Sequence, residues 1–196
     1  MAKTGLQPTK DQSLVSRASG GDREAFGELY DRYVTPVYRH MYCIVNDRQL
    51  AEDLTAQAFL QALQAIGRYE ERGLPFLAWL LRIARNLAIN HWRVQGNHNS
   101  SRNDGSDRAS LSPELFCEAK LREEEVWRAV RSLGGDQRQV IILRFVDGLS
   151  YPEVAQVLAK SIGAVRVIQY RALSALRRAL EDGDLGHNFP GSGGLS

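Results

Sequence analysis

Apolar residues recur at three- and four-residue steps along two stretches of this 196-residue chain, and a polar stretch without such steps lies between them. That spacing is the signature of helices with one buried face, so the expected fold class is all-α, two small helical domains joined by a flexible linker. Residues 1–21 are polar, end in Gly20-Gly21 and support no more than a helical turn around Leu14 to Ala18, so disorder is expected there. Asp22 then caps a helix whose Ala25, Phe26, Leu29, Tyr33, Val37, Tyr38, Met41 and Ile44 face a core, with Pro36 expected to kink or divide it. After the break at Asn46-Asp47-Arg48, Leu50, Leu54, Ala58, Leu60, Ala62, Leu63 and Ile66 mark a second helix ending near Gly67. Arg68 to Pro75 reads as a loop, because Gly73 and Pro75 punctuate it. From Phe76 to about Trp92 a third helix buries Phe76, Leu80, Ile83, Ala84 and Leu87. The first domain is thus expected over 22–94, with three to four helices.

Residues 95–114 are rich in Asn, Ser, Asp and Gly and carry no apolar repeat, which marks a flexible linker. Helical spacing returns with Leu115, Leu121, Val126, Trp127, Val130 and Leu133, stops at Gly134-Gly135, and resumes through Val140, Ile141, Leu143, Arg144 and Phe145 until Asp147-Gly148. Ser150 next caps a helix, Pro152 sits where an early proline is tolerated, and Glu153 is placed to complete a capping box. Val154, Ala155 and Leu158 give that helix an apolar face; Lys160-Ser161-Ile162-Gly163 interrupts it; Val165, Ile168, Ala172 and Leu176 begin a longer one. The second domain, over 115–182, therefore holds four helices and ends in a helix-turn-helix. Beyond it, 183–196 is a glycine-rich tail expected to be disordered.

Charge changes this picture locally. The whole chain carries only +2, too little to announce a nucleic-acid binder. Between Lys160 and Arg178, however, the charges are Lys160, Arg166, Arg171, Arg177 and Arg178 with no acid among them, which suits a helix placed in the major groove of DNA. On the third helix Arg82, Asn86, Asn90 and Arg93 share a face and can meet phosphates and base edges. Either face would also serve as an ordinary solvated surface.

Composition excludes more than it identifies. The 43% hydrophobic and 24% charged content is that of a globular protein, and neither an apolar membrane span nor a hydrophobic signal core is present, so a cytoplasmic location is expected. Cys43 and Cys117 lie far apart and form no metal-type pair. His40 and Cys43 are spaced to share a metal, but no third or fourth ligand is evident, so packing roles are expected. His91, His98 and His187 are scattered, no phosphate-binding glycine loop appears, and neither a catalytic constellation nor a cofactor site stands out.

Four strings, in order, resemble the extracytoplasmic-function class of bacterial sigma factors. They are Ala51-Glu52-Asp53-Leu54-Thr55 with Phe59, the run Phe76 to Ala88, Gly148-Leu149-Ser150-Tyr151-Pro152-Glu153-Val154-Ala155, and Gly163 to Ala172. The resemblance covers Asp22 to about Leu180. It implies a sigma-2-like domain that binds core RNA polymerase and the −10 promoter element, and a sigma-4-like domain that reads the −35 element of promoter DNA. It further implies polymerase contacts at Asp53 and Gln57, the latter standing with Ala56 where the family usually has a Gln-Glu pair. The −10 contacts would come from Tyr69, Glu70, Arg72, Arg82, Asn86, Asn90 and Arg93. The −35 contacts would come from Arg166, Val167, Tyr170 and Arg171, with Lys160, Ser161 and Arg177 on phosphates. An anti-sigma factor is the further partner the resemblance implies, with no membrane insertion and no enzymatic activity. The competing expectation is a helix-turn-helix repressor or activator that dimerises through Asp22–Trp92 and never meets the polymerase.

Overall fold

The structure is a computed structural model and describes residues 8–69, 74–96 and 117–186. Its helices are α1 (Pro8–Ser19), α2 (Arg23–Val45), α3 (Arg48–Ala65), α4 (Phe76–Gly96), α5 (Cys117–Ser132), α6 (Gly135–Ile141), α7 (Tyr151–Leu158) and α8 (Ile162–Gly186). A 3-10 turn, Ile66–Arg68, follows α3, and a π-helical segment, Ile142–Val146, continues α6. Among the described residues there is no strand. Polar side chains set the helix starts: Asp22 accepts from the amides of Glu24 and Ala25, and Asp47 from that of Leu50. Asn46 ends α2 in the left-handed conformation, with φ 53°, and its amide donates to the Tyr42 carbonyl.

Three boundaries depart from expectation. The segment expected to be disordered holds α1, which buries Leu14, Val15 and Ala18 against α2. Asp11 secures it by accepting from both Arg32 and Tyr33, and the Ser19 hydroxyl donates to the Ile66 carbonyl at 3.0 Å. Three small apolar positions are a weak signal in a sequence; they suffice here because tertiary packing supplies the stability that a short helix lacks alone. At the other end α8 runs to Gly186, four residues into the expected tail, and the i,i+4 pair Arg177–Glu181 braces its late turns. Likewise α4 continues to Gly96, into the expected linker, while 97–116 lies outside the described residues. Pro36 does not divide α2, because Tyr33 and Val37 on either side of it are held in the same core.

Helices α2, α3 and α4 pack on one another, and Leu29, Val37, Met41, Ala58 and Leu80 are fully buried among them. That core does not stop at the end of the first unit. It continues into Val140, Ile142, Leu143, Leu149, Val154, Val157, Leu158 and Val165 of the second unit, as α7 packs on α4 and the π-helical segment on α2. Helix α4 is consequently buried on two sides, at Leu80 and Ala84 but also at Leu77, Leu81 and Ala88. A smaller cluster of Val130, Leu133, Ile141 and Ala172, with Trp127 and Leu176 against it, holds α5 and α6 on α8.

Candidate nucleic-acid interface

The helix-turn-helix is built from local chemistry. At the start of α7 both arms of the capping box form: the Glu153 amide donates to the Ser150 hydroxyl, and the Ser150 amide to the Glu153 carboxylate. Ala159 ends α7 with φ 52°, turning the chain sharply, and the Lys160 amide donates back to the Ala155 carbonyl at 2.9 Å. Ser161 then opens the next helix, its hydroxyl oxygen accepting from the Ala164 amide at 3.1 Å, which leaves the hydroxyl proton free to meet a phosphate. On α8, Val165 and Ala172 are fully buried while Arg166, Val167, Tyr170 and Arg171 are exposed, Tyr170 at 74%. The exposed stretch of α8 from Arg166 to Arg171 carries no acid and is free to lie in a groove.

Two basic residues expected to touch phosphates already hold carboxylates. Lys160 pairs with Asp136 at 2.9 Å, and Arg177 with Glu181 at 2.7 Å, an exposed contact that raises the guanidinium pKa. A phosphate would have to displace an acid at each. Arg166 is arranged differently. Its guanidinium lies 5.3 Å from the ring centre of Tyr151, and Arg144 lies over the same ring at 4.2 Å. Arg144 is itself fastened by donating to the Leu149 carbonyl and to Gln169. Tyr151, which sequence reasoning treated only as part of a motif, thus joins the start of α7 to the exposed side of α8.

In the first unit Arg82, Asn86, Asn90 and Arg93 are all exposed along α4, as their spacing requires. Glu70 and Arg72 lie outside the described residues. Tyr69 is half-buried: its ring packs on Trp79 at 4.9 Å and Phe76 at 5.8 Å, and its hydroxyl donates to the Leu74 carbonyl at 2.6 Å. It ties the end of the 3-10 turn to Leu74, just before α4. Arg85, unremarked in the sequence, donates to Gln139 of the second unit, and burial lowers its pKa.

Asp53 and Gln57 are exposed on α3, where Gln49 donates to Asp53 at 3.4 Å. Leu60 and Leu63 continue this side of the helix and are 57% and 48% exposed, although the apolar pattern had merged them with the core. Only their offset from the buried Leu54, Ala58 and Ala62 row gives them away. An exposed pair of leucines beside a carboxylate is a surface suited to a protein rather than to DNA.

Known proteins place these surfaces in a family. Residues 29–98 match Sigma-70 region 2, and residues 123–176 match Sigma-70, region 4. The chain is 40% identical to the ECF RNA polymerase sigma factor BldN of Streptomyces coelicolor over 86% of its own length and 65% of that protein's. It is 32% identical to the RNA polymerase sigma-H factor of Pseudomonas aeruginosa, over 90% of its length and 96% of that protein's. In fold it is similar to the sigma factor RpoE of Bartonella quintana, solved in complex with the anti-sigma factor NepR: 24% identity, 80% of this chain and 96% of that one covered, TM-score 0.67. Both regions occur here in order, on the two helical units that carry the exposed basic faces. The chain therefore belongs to the extracytoplasmic-function group of the sigma-70 family, non-enzymatic initiation factors that direct RNA polymerase to promoters through regions 2 and 4.

Proposed function

We propose that the two units divide a promoter between them through particular side chains. On α8, Arg166 reads a guanine edge through its O6 and N7, Val167 meets a thymine methyl, and Tyr170 and Arg171 complete the −35 surface. Lys160, Ser161 and Arg177 hold phosphates and set the register without reading sequence. On α4, the row Arg82, Asn86, Asn90 and Arg93 grips and opens the −10 element together with Tyr69, Glu70 and Arg72. Asp53, Gln57, Leu60 and Leu63 of α3 form the polymerase-facing side. The observation that carries this reading is the exposed face of α8 from Arg166 to Arg171, which carries no acid, behind a fully formed capping box. An anti-sigma factor regulates the protein, as the complex known for the Bartonella relative suggests, and the site of action is the cytoplasm, where polymerase and promoter meet.

Run-off transcription tests the reading. Core polymerase supplied with this chain and a library of genomic promoter fragments should initiate at a defined set sharing two elements. Initiation nowhere in the library, or the same starts without the added chain, would overturn it.

A further inference from the structure

Helix α1 lies outside both stretches that match sigma-70 regions, since the first of these begins at residue 29. It nevertheless presents one continuous face to the first unit. Asp11, Leu14, Val15, Ala18 and Ser19 recur at helical steps and are buried or half-buried, while Gln12, Ser13, Ser16 and Arg17 between them are exposed. The two polar members of that face stand at its ends, about 12 Å apart at ~1.5 Å per residue.

Each end grips a different piece of the unit. Ser19 donates to the Ile66 carbonyl at 3.0 Å, and the same oxygen accepts from the Tyr69 amide at 3.0 Å to close the 3-10 turn. Asp11 accepts from the Tyr33 hydroxyl and from Arg32. Tyr33 is 1% exposed, and burial beside this carboxylate pushes its phenol pKa well above the usual value, so the hydroxyl stays a donor.

From Tyr33 the contact continues through rings. Tyr33 lies 5.4 Å from Phe76, the first residue of α4; Phe76 lies 5.5 Å from Trp79 and 5.8 Å from Tyr69; Tyr69 lies 4.9 Å from Trp79. Ring pairs at such separations attract beyond the area they bury. One end of α1 therefore holds Tyr69 through the 3-10 turn, and the other holds it through Tyr33 and Phe76. Arg82, the first of the exposed row on α4, follows Trp79 by less than one helical turn. Groups that must meet a ligand work only while they stay within about 0.5 Å of their productive geometry, and the side chains packed behind them keep them there.

We infer that α1 is a positioning element for the −10 surface, with Asp11 and Ser19 setting Tyr69 and the first turns of α4. The hold on the aromatic cluster rests on the contacts alone; its effect on the −10 element rests on the promoter reading above.

The experiment uses the full chain with Trp79 as its only tryptophan. Trp79 is 8% exposed, so its quenching by acrylamide reports how tightly the cluster is held. Asp11→Ala and Ser19→Ala should each raise that quenching about two- to fivefold. Asp11→Asn keeps an acceptor for the Tyr33 hydroxyl, Ser19→Thr keeps the donor to Ile66, and both should stay near the parent. Gln12→Ala, on the exposed side of α1, should change nothing. Circular dichroism verifies that each variant remains folded, and Ser19→Ala, which loses a single hydrogen bond, reads the contact where Asp11→Ala releases the helix altogether. Unchanged quenching in both alanine variants would overturn the inference, as would a Gln12→Ala chain altered as much as they are. Bound to core polymerase at a mapped promoter, the two alanine variants should keep core affinity within about twofold but unpair the −10 thymines, read by permanganate, about five- to tenfold more slowly. A loss of core affinity equal to the loss of opening would mean that α1 only holds the fold, and would overturn the positioning role. A parent chain that opens no promoter would defeat the promoter reading, and with it the effect on the −10 element, while the quenching result stands.

Discussion

Arg166 and Lys160 lie six residues apart and carry the same charge, yet the promoter reading proposed above gives them different work. A guanidinium can pair with guanine O6 and N7 together, and the Tyr151 ring restricts where Arg166 points; an ammonium paired with Asp136 has no such directional task. Arg166→Ala should therefore cost about 1–3 kcal/mol of discrimination at a single −35 position. Lys160→Ala should weaken binding to all duplexes alike and flatten the salt dependence. Titrating matched and base-substituted duplexes at several salt concentrations distinguishes them, and equal losses on both duplexes for both variants would erase the distinction. Tyr151 acts through Arg166 on this account. Tyr151→Phe keeps the ring face and should preserve discrimination, whereas Tyr151→Leu should lose roughly 0.5–1 kcal/mol of it, the worth of an exposed cation–π contact. A double-mutant cycle with Arg166→Ala checks the coupling, and additive losses would mean that the ring only packs.

The turn between α7 and α8 illustrates what an element inherits from single positions. Ala159 holds a left-handed conformation that strains any residue with a Cβ by about 1–2 kcal/mol, against roughly 0.5–1 kcal/mol of chain entropy lost by glycine. Ala159→Gly should accordingly stabilise the protein, by up to ~1 kcal/mol in denaturant titration; a loss would show that the Ala159 methyl contributes packing that outweighs the strain. Ser150→Ala, which removes one arm of the capping box, should cost about 1 kcal/mol in the same measurement. These local features were legible in the sequence because they depend on neighbours: Ser150 with Glu153, Asp22 with the amides after it, and the apolar rows of α2, α4 and α8. What escaped depended on distant partners. Leu14, Val15 and Ala18 make a helix only because α2 receives them, and Leu60 and Leu63 were merged with the core because composition does not distinguish an apolar residue facing solvent from one facing its neighbours. The candidate site divides the same way. Arg82, Asn86 and Asn90 lie where helical spacing put them, but Tyr69 proved to be spoken for by Leu74, Phe76 and Trp79.

At the scale of the whole molecule, His40 and Asp147 are 107 residues apart, and no periodicity could have paired them; the sequence showed His40 only as half of a metal-like spacing. Their meeting makes the two units energetically dependent on each other. Helical units of this size bury too small a fraction of their surface to be robust alone, and Val154, Leu158 and Val165 lie in a core continuous with Leu29 and Met41. Unfolding one unit uncovers part of the other's core. Heat should therefore melt the free protein in one transition, visible at a common midpoint from both sides of the interface. Tryptophan can report each side, since Trp79 lies with Phe76 and Tyr69 in the first unit, while Trp127 packs on the smaller cluster of the second. In a form retaining only Trp79 and another retaining only Trp127, the midpoints should coincide. With Asp147→Ala added, the interface weakens by roughly 3 kcal/mol and the less stable unit should melt ~10 °C earlier, at about 4 °C per kcal/mol for domains of this size. Separate midpoints already present without Asp147→Ala would mean that the shared core transmits no stability, and that each unit stands on its own packing.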